Sequence, residues 1–221
     1  MKVLKFVGAV IDDAEKIKSL TNVIKQYAEE GTAIIISSTD KTTIDLEKIA
    51  QAFYAAKKEE ALNLFNEIKK QQINTAKKIL SGQLKKCLSQ LNDFFTEVEW
   101  LLHDKPIRSF EYYYDQIVCS GELMISCLLS HYLIEEKINN EWIDARDLIR
   151  TDNHFKEANI DELVSSKNIL QRIKKDKNKI YITQSSIGVT DENESTTLGN
   201  RINDQMAKMF ANILDAELFL K

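Results

Sequence analysis

Glycine and proline are scarce in this 221-residue chain, which holds six glycines and a single proline, Pro106. An average protein carries roughly 7% glycine. With so little punctuation and so many Lys, Glu, Leu and Ile residues, long helices are favoured, and each remaining glycine needs a reason. Cysteine is also sparse. Cys87, Cys119 and Cys127 show no CxxC spacing and no adjacent histidine, so no metal site and no disulfide framework is expected, only reduced, buried thiols of a cytoplasmic protein. No apolar stretch approaches the ~20 residues that cross a membrane, so no membrane partner is expected. The N-terminal apolar run, Phe6 to Ile11, is cut off by Asp12 and Asp13, short of the ~7–15 residues of a secretory signal. A basic excess is missing too: the net charge is -4, which argues against a nucleic-acid partner.

What is present is the material of one globular domain spanning residues 1–221, with 43% hydrophobic and 29% charged residues. Residues 2–11 read as a buried strand. A helix follows, opened by Asp12 with Glu15 three residues on, striped by Ile17, Leu20, Ile24 and Tyr27, and stopped near Gly31. Ala33 to Ile36 is a second buried strand, which makes a βαβ unit and predicts a parallel sheet. From about 42 to 103 the pattern is helical throughout and reads as an inserted helical lobe, a hairpin broken near Gly82 and ended at Pro106. Its lysine pairs, such as Lys57–Lys58 and Lys69–Lys70, read as solvated faces. Further helices are expected at about 112–137, at 161–175 and along Ile202, Met206, Phe210 and Ile213. Strands are expected around 142–145, 179–184 and 217–220, and Asp191 to Ser195 looks like a hairpin turn. The fold class is therefore α/β, a mainly parallel sheet flanked by helices.

Four segments have positions suited to phosphate or carboxylate chemistry. Lys5 and Gly8 sit where a strand passes into a helix, a junction that exposes backbone N–H groups, although an ordinary strand exit explains these residues as well. Ser37 to Thr43 lies at a second such junction, where hydroxyls either bind phosphate or cap the helix. Gly121-Glu122 falls inside a helical pattern, where glycine costs about 1 kcal/mol relative to alanine and so implies close packing or close ligand approach. Thr196 to Asn200 reads as opening the last helix, with Asp204 in its first turn.

In order along the chain, KFVGAV, SSTDKTT, SGELM, IDARDLIRTD, ITQSSIG and TTLG resemble the aspartokinases, of the amino-acid kinase fold. The resemblance implies transfer of the ATP γ-phosphoryl group to the side-chain carboxylate of L-aspartate, with Mg²⁺. It implies that Lys5, Gly8 and Ser37 hold the nucleotide, that Thr43, Glu122 and the position of Asn200 hold the substrate, and that Lys5 and Asp204 are catalytic. Several family positions are altered. Val7 replaces a glycine, Ala9-Val10 a Thr-Ser pair, Asp40 a glycine, Ile44 an asparagine and Cys119 a serine. Asn200 stands where the family has the arginine that grips the α-carboxylate, and Arg201-Ile202-Asn203 replaces Gly-Gly-Ser. The strand at 217–220 leads, in the family, to a segment that helps hold nucleotide and then to ACT domains, and neither is expected within residues 1–221. A kinase whose activity is lost or strongly reduced is the expectation. The alternatives are an active aspartate kinase completed by a partner chain, with Arg201 replacing the lost arginine, and a regulatory subunit pairing with a complete aspartokinase. Homodimerisation is a further expectation from the resemblance.

Overall fold

The protein is seen in a computed structural model that describes residues 1–6, 14–27, 31–174, 176–199 and 203–220. Five strands form one fully parallel sheet: β1 (Lys2–Phe6), β2 (Thr32–Ile36), β3 (Asn140–Trp142), β4 (Ile180–Gln184) and β7 (Glu217–Leu220), in the order β3-β4-β2-β1-β7. The β-branched residues Ile34, Ile35 and Ile36 are buried on both faces, as a central parallel strand requires. Side-chain alternation then divides the interior in two. Leu4, Phe6, Ile34 and Ile36 point into the larger core, with α1 (Ala14–Lys25) and the long helices; Val3, Ala33 and Ile35 point into a smaller one, with α6 (Glu162–Arg172) and α7 (Asn203–Leu214).

The helical layer holds α2 (Asp40–Tyr54), α3 (Lys58–Ile79), α4 (Leu84–His103) and α5 (Phe110–Glu135). The expected hairpin is thus three helices rather than two. The additional break falls at Ala55 to Lys57, where Ala56 takes a left-handed φ of 58°. No glycine or proline announces it, and alanine carries the smallest side chain that can enter that region in glycine's place. Helix α5 is long and apolar enough to cross a membrane, although sequence inspection finds no such stretch, and it is the central helix of the protein, buried from Ile117 through Leu133. Its N-cap is Ser109, whose hydroxyl accepts from the Tyr112 N–H.

Two other boundaries differ from expectation. The strand at 142–145 instead ends at Trp142, because Asp144 accepts the Arg146 N–H and caps a single 3-10 turn, Ala145–Asp147. Thr196 and Thr197 do not open the last helix: they lie in strand β6 (Ser195–Thr197), paired antiparallel with β5 (Ile187–Val189) around the expected turn. Among the described residues β1 ends at Phe6, and the continuation expected to Ile11, like the Asp12 cap, lies outside them.

Gly121 is explained by packing. A Cβ there would stand 2.8 Å from Leu46 Cδ1 and 3.3 Å from Thr42 Cγ2, so the start of α2 lies directly against α5. Alanine should therefore be nearly neutral, because its gain of about 1 kcal/mol in helix propensity offsets the displaced Leu46 methyl. Gly121→Val should lose about 2 kcal/mol by overpacking, read as a lower urea midpoint at an unchanged m-value. A valine variant as stable as the parent would show that α2 is free to move off α5.

Candidate functional site

The site forms where the parallel strands end. In a sheet of this type the carboxyl ends of the strands point at a crevice. Phe6 pairs with Ile36, and the Ser37 N–H donates to the Phe6 carbonyl, so the ends of β1 and β2 lie side by side. The crevice is a cleft of about 900 Å³. Ser37, Thr43 and Glu122 all line it, from two separate segments of the sequence.

Local chemistry explains each placement. Thr39 caps α2 by accepting the Thr42 N–H, so at this junction capping is realised. The hydroxyls of Ser38 and Thr43 hydrogen-bond to one another at 2.7 Å across the first turn of α2. Glu122 is buried, and its carboxylate accepts from the backbone N–H groups of Ser185 and Ser186, at 3.0 and 2.9 Å, and from the Ser185 hydroxyl. Burial pushes its pKa up, against the lowering effect of those N–H donors. In this structure Glu122 therefore ties α5 to the junction of β4 and β5 while facing the cleft.

Lys5 and Asp204, 199 residues apart, are brought together: Lys5 Nζ lies 3.0 Å from Asp204 Oδ1. The lysine is 3% exposed and the aspartate 58%, so a buried ammonium meets a solvated carboxylate. Lys5 points to the α7 side of the sheet, the same face as Val3, which places it beside the first turn of that helix. The ammonium holds the Asp204 pKa below the usual carboxylate range. Gly8 and Asn200, expected to meet nucleotide and substrate, lie outside the described residues, as do Val7, Ala9, Val10, Arg201 and Ile202.

The structure adds residues that were not among the candidate site residues read from the sequence. Lys156, His154 and Phe155 contribute to the cleft wall, and Lys156 Nζ sits 4.4 Å from the Tyr114 ring. Arg108 stacks on Tyr112 at 3.7 Å and pairs with Glu194 near the same mouth. Cys119, at the family's serine position, donates its S–H to the Thr196 carbonyl. Asp115 is wholly buried; it accepts from the Thr197 hydroxyl at 2.5 Å and from the Lys156 N–H at 2.9 Å, stitching α5 to two parts of the wall. A carboxylate seven residues before Glu122 in an otherwise apolar helix was the available signal.

The described residues fit the polyphosphate of ATP poorly, although the carboxylates among them are ligands of the kind Mg²⁺ takes. Asp40, Glu47, Glu111, Glu122 and Glu157 line the cleft, against Lys156 and His154. Among the described residues, that wall would meet a polyphosphate with like charge, and the one lysine expected to neutralise phosphate is engaged with Asp204.

Asp115 generates a test. Burial raises its pKa to about 6, outweighing the donors from Thr197 and Lys156. An acid whose folded pKa lies above its unfolded value favours the folded state while protonated. That contribution is complete below about pH 4 and is lost as pH rises through 6. Asp115→Asn removes the titration and keeps the shape, since the Thr197 hydroxyl can turn to accept from the amide. The stability difference between parent and variant should shift by about 3 kcal/mol against the parent between pH 4 and pH 7. Urea melts across that range measure it, and a pH-independent difference would place the Asp115 pKa near its ordinary value.

Comparison with known proteins gives this architecture a context. Lysine-sensitive aspartokinase 3 of Escherichia coli is 32% identical over 103 residues, 46% of this chain and 23% of that protein. The aspartokinase of Chlamydia trachomatis is 22% identical over 214 residues, 97% of this chain and 46% of its own length. The matched regions thus make up between about a quarter and a half of the length of these relatives, and the chain as a whole spans about half. E. coli aspartokinase III in complex with lysine and aspartate superposes with a TM-score of 0.87 at 21% identity, covering 100% of this chain and 48% of that one. The same enzyme in complex with aspartate and ADP gives 0.85 at 20% identity, covering 100% and 49%. The model of the amino acid kinase family matches residues 1–221, from β1 through β7, and the chain belongs to that family.

Proposed function

We propose that this chain is an aspartokinase-like protein that has lost, or nearly lost, the transfer of phosphate from ATP to L-aspartate. The observation that carries the reading is the charge of the cleft: five carboxylates face it, one of them Asp40 at the start of α2, where the helix dipole would otherwise favour a phosphate. The altered family positions point the same way. Val7 puts a Cβ where backbone must approach phosphate, and Ala9 and Val10 offer no hydroxyl donors. Asn200 cannot reproduce the two-pronged grip of a guanidinium on a carboxylate, a loss on the order of 2–5 kcal/mol.

Phosphoryl transfer relies on positioning and on neutralising the charge of the moving group. The described residues that would supply this are Lys5, Lys156 and the hydroxyls of Ser37, Ser38 and Thr43. Lys5 is paired with Asp204, and Ser38 and Thr43 with each other. What the site retains is a route for recognising a small amino acid: a cleft with a buried carboxylate, Glu122, facing it, suited to an ammonium group.

Two measurements test the proposal. MgATP at ~1 mM should leave the melting temperature essentially unchanged, because against a Kd of roughly 5 mM the stabilisation is about 0.1 kcal/mol. Trapping acyl phosphate with hydroxylamine should show no aspartate-dependent product in the parent protein. Asn200→Arg alone should not restore it, since groups that act as a unit are strongly non-additive. A clear MgATP shift together with aspartate-dependent hydroxamate would make the chain a working kinase.

A further inference from the structure

We propose that Cys87, Cys127 and His131 form a binding site for a zinc-like divalent ion between α4 and α5, separate from the cleft. Cys127 and His131 are four residues apart on α5 and so lie one above the other on a single helix face. Cys87 reaches them from α4, which packs along α5. One ligand atom from each of the three lies within 4.8 Å of the other two. Both cysteines are fully buried and His131 is 8% exposed.

The histidine supplies an independent observation. Its Nε2 lies 3.0 Å from Gln90 Oε1, a carbonyl-type oxygen that can only accept, so Nε2 carries the proton. That leaves Nδ1 as a bare acceptor, and Nδ1 is buried with no hydrogen-bond partner. A buried, unpartnered lone pair costs free energy unless something takes it. An imidazole whose distal N–H is held by a carbonyl, with its other nitrogen unengaged beside two thiols, has the form of a metal-ligating histidine.

The choice of ion follows from charge and softness. Two thiolates and a neutral imidazole carry a charge of -2, so a divalent ion leaves a neutral assembly, the form an interior tolerates. Thiolate and imidazole together select zinc-like ions over magnesium or calcium, which require oxygen ligands. On a tetrahedral zinc, with Zn–S near 2.3 Å, two sulfurs sit roughly 3.8 Å apart, so side-chain movements of about 1 Å would close the set. Three protein ligands leave a fourth position for water. Cys127 lies five residues beyond Glu122, about 7.5 Å along the axis of α5, and none of the three ligands lines the cleft. The site therefore ties the helical layer together behind the cleft.

The test uses chelator-stripped, reduced protein. Zinc should raise the melting temperature and saturate at one ion per chain. Cobalt should give the intense thiolate-to-metal charge-transfer band of a cysteine-ligated site. Cys87→Ser and Cys127→Ser should each abolish that band. Gln90→Leu, at a half-buried position that leaves all three ligands intact, should keep the band but weaken binding roughly 10–100-fold, because the ring loses the partner that fixes its tautomer. Reduced parent protein that stays silent with cobalt and melts unchanged with zinc would overturn the site, whether or not the two thiols oxidise to a disulfide. A Gln90→Leu variant binding as tightly as the parent would overturn the role given to the histidine.

Discussion

A helix enclosed on almost every side cannot leave any polar group to water, and α5 is such a helix. Most of its polar residues find a partner on a neighbouring element, and those partners shape the site. Asp115 takes donors from β6 and from the Lys156 backbone, and Glu122 takes them from the junction after β4. Ser126 receives the Trp142 indole N–H and the Gln184 amide, linking α5 to β3 and β4. Ser130 donates to the Asn140 side chain at the start of β3. The polar spine of one helix thus sets where the loops at the ends of the strands stand.

The same constraint explains why a cleft of this charge persists in a folded protein. Glu122 needs its backbone donors whether or not a ligand is present, so its retention follows from structure as much as from chemistry. The Lys5–Asp204 pair has a similar double character. Asp204 balances a lysine that is otherwise almost wholly buried, so the pair has a structural reason to exist whether or not the site takes phosphate.

Much of the sheet was legible because its strands are short, apolar and β-branched, and each is bounded by polar residues, as at Ala33 to Ile36 and Ile180 to Gln184. The stripe through Met206 and Phe210 revealed α7 for the corresponding reason, its period of three to four residues. Ala56 was not legible, since alanine in a left-handed turn leaves no compositional trace. Strands β5 and β6 were too short to show an alternation, and only the polar turn between them was visible. The site itself could be read only through resemblance, because Lys5 meets Asp204 from the opposite end of the chain and no local pattern records that. The cluster of Cys87, Cys127 and His131 was hidden similarly: spacing rules look along one segment, and these ligands come from two helices.

The position of β1 in the sheet bears on how the protein is made. β1 hydrogen-bonds β2 on one side and β7 on the other, with Lys2 opposite Glu217 and Lys5 opposite Leu220. During synthesis β2 emerges soon after β1, but β7 follows only after about 180 further residues. At ribosomal rates of roughly 5–20 residues per second, the outer edge of β1 waits on the order of ten to forty seconds for its partner. Throughout that interval a buried strand, with Leu4 and Phe6 on one face, presents unpaired N–H and C=O groups. Until β7 emerges the nascent chain is thus open to strand addition by a neighbouring chain along that edge, and a demand for chaperone cover during translation follows from strand order alone.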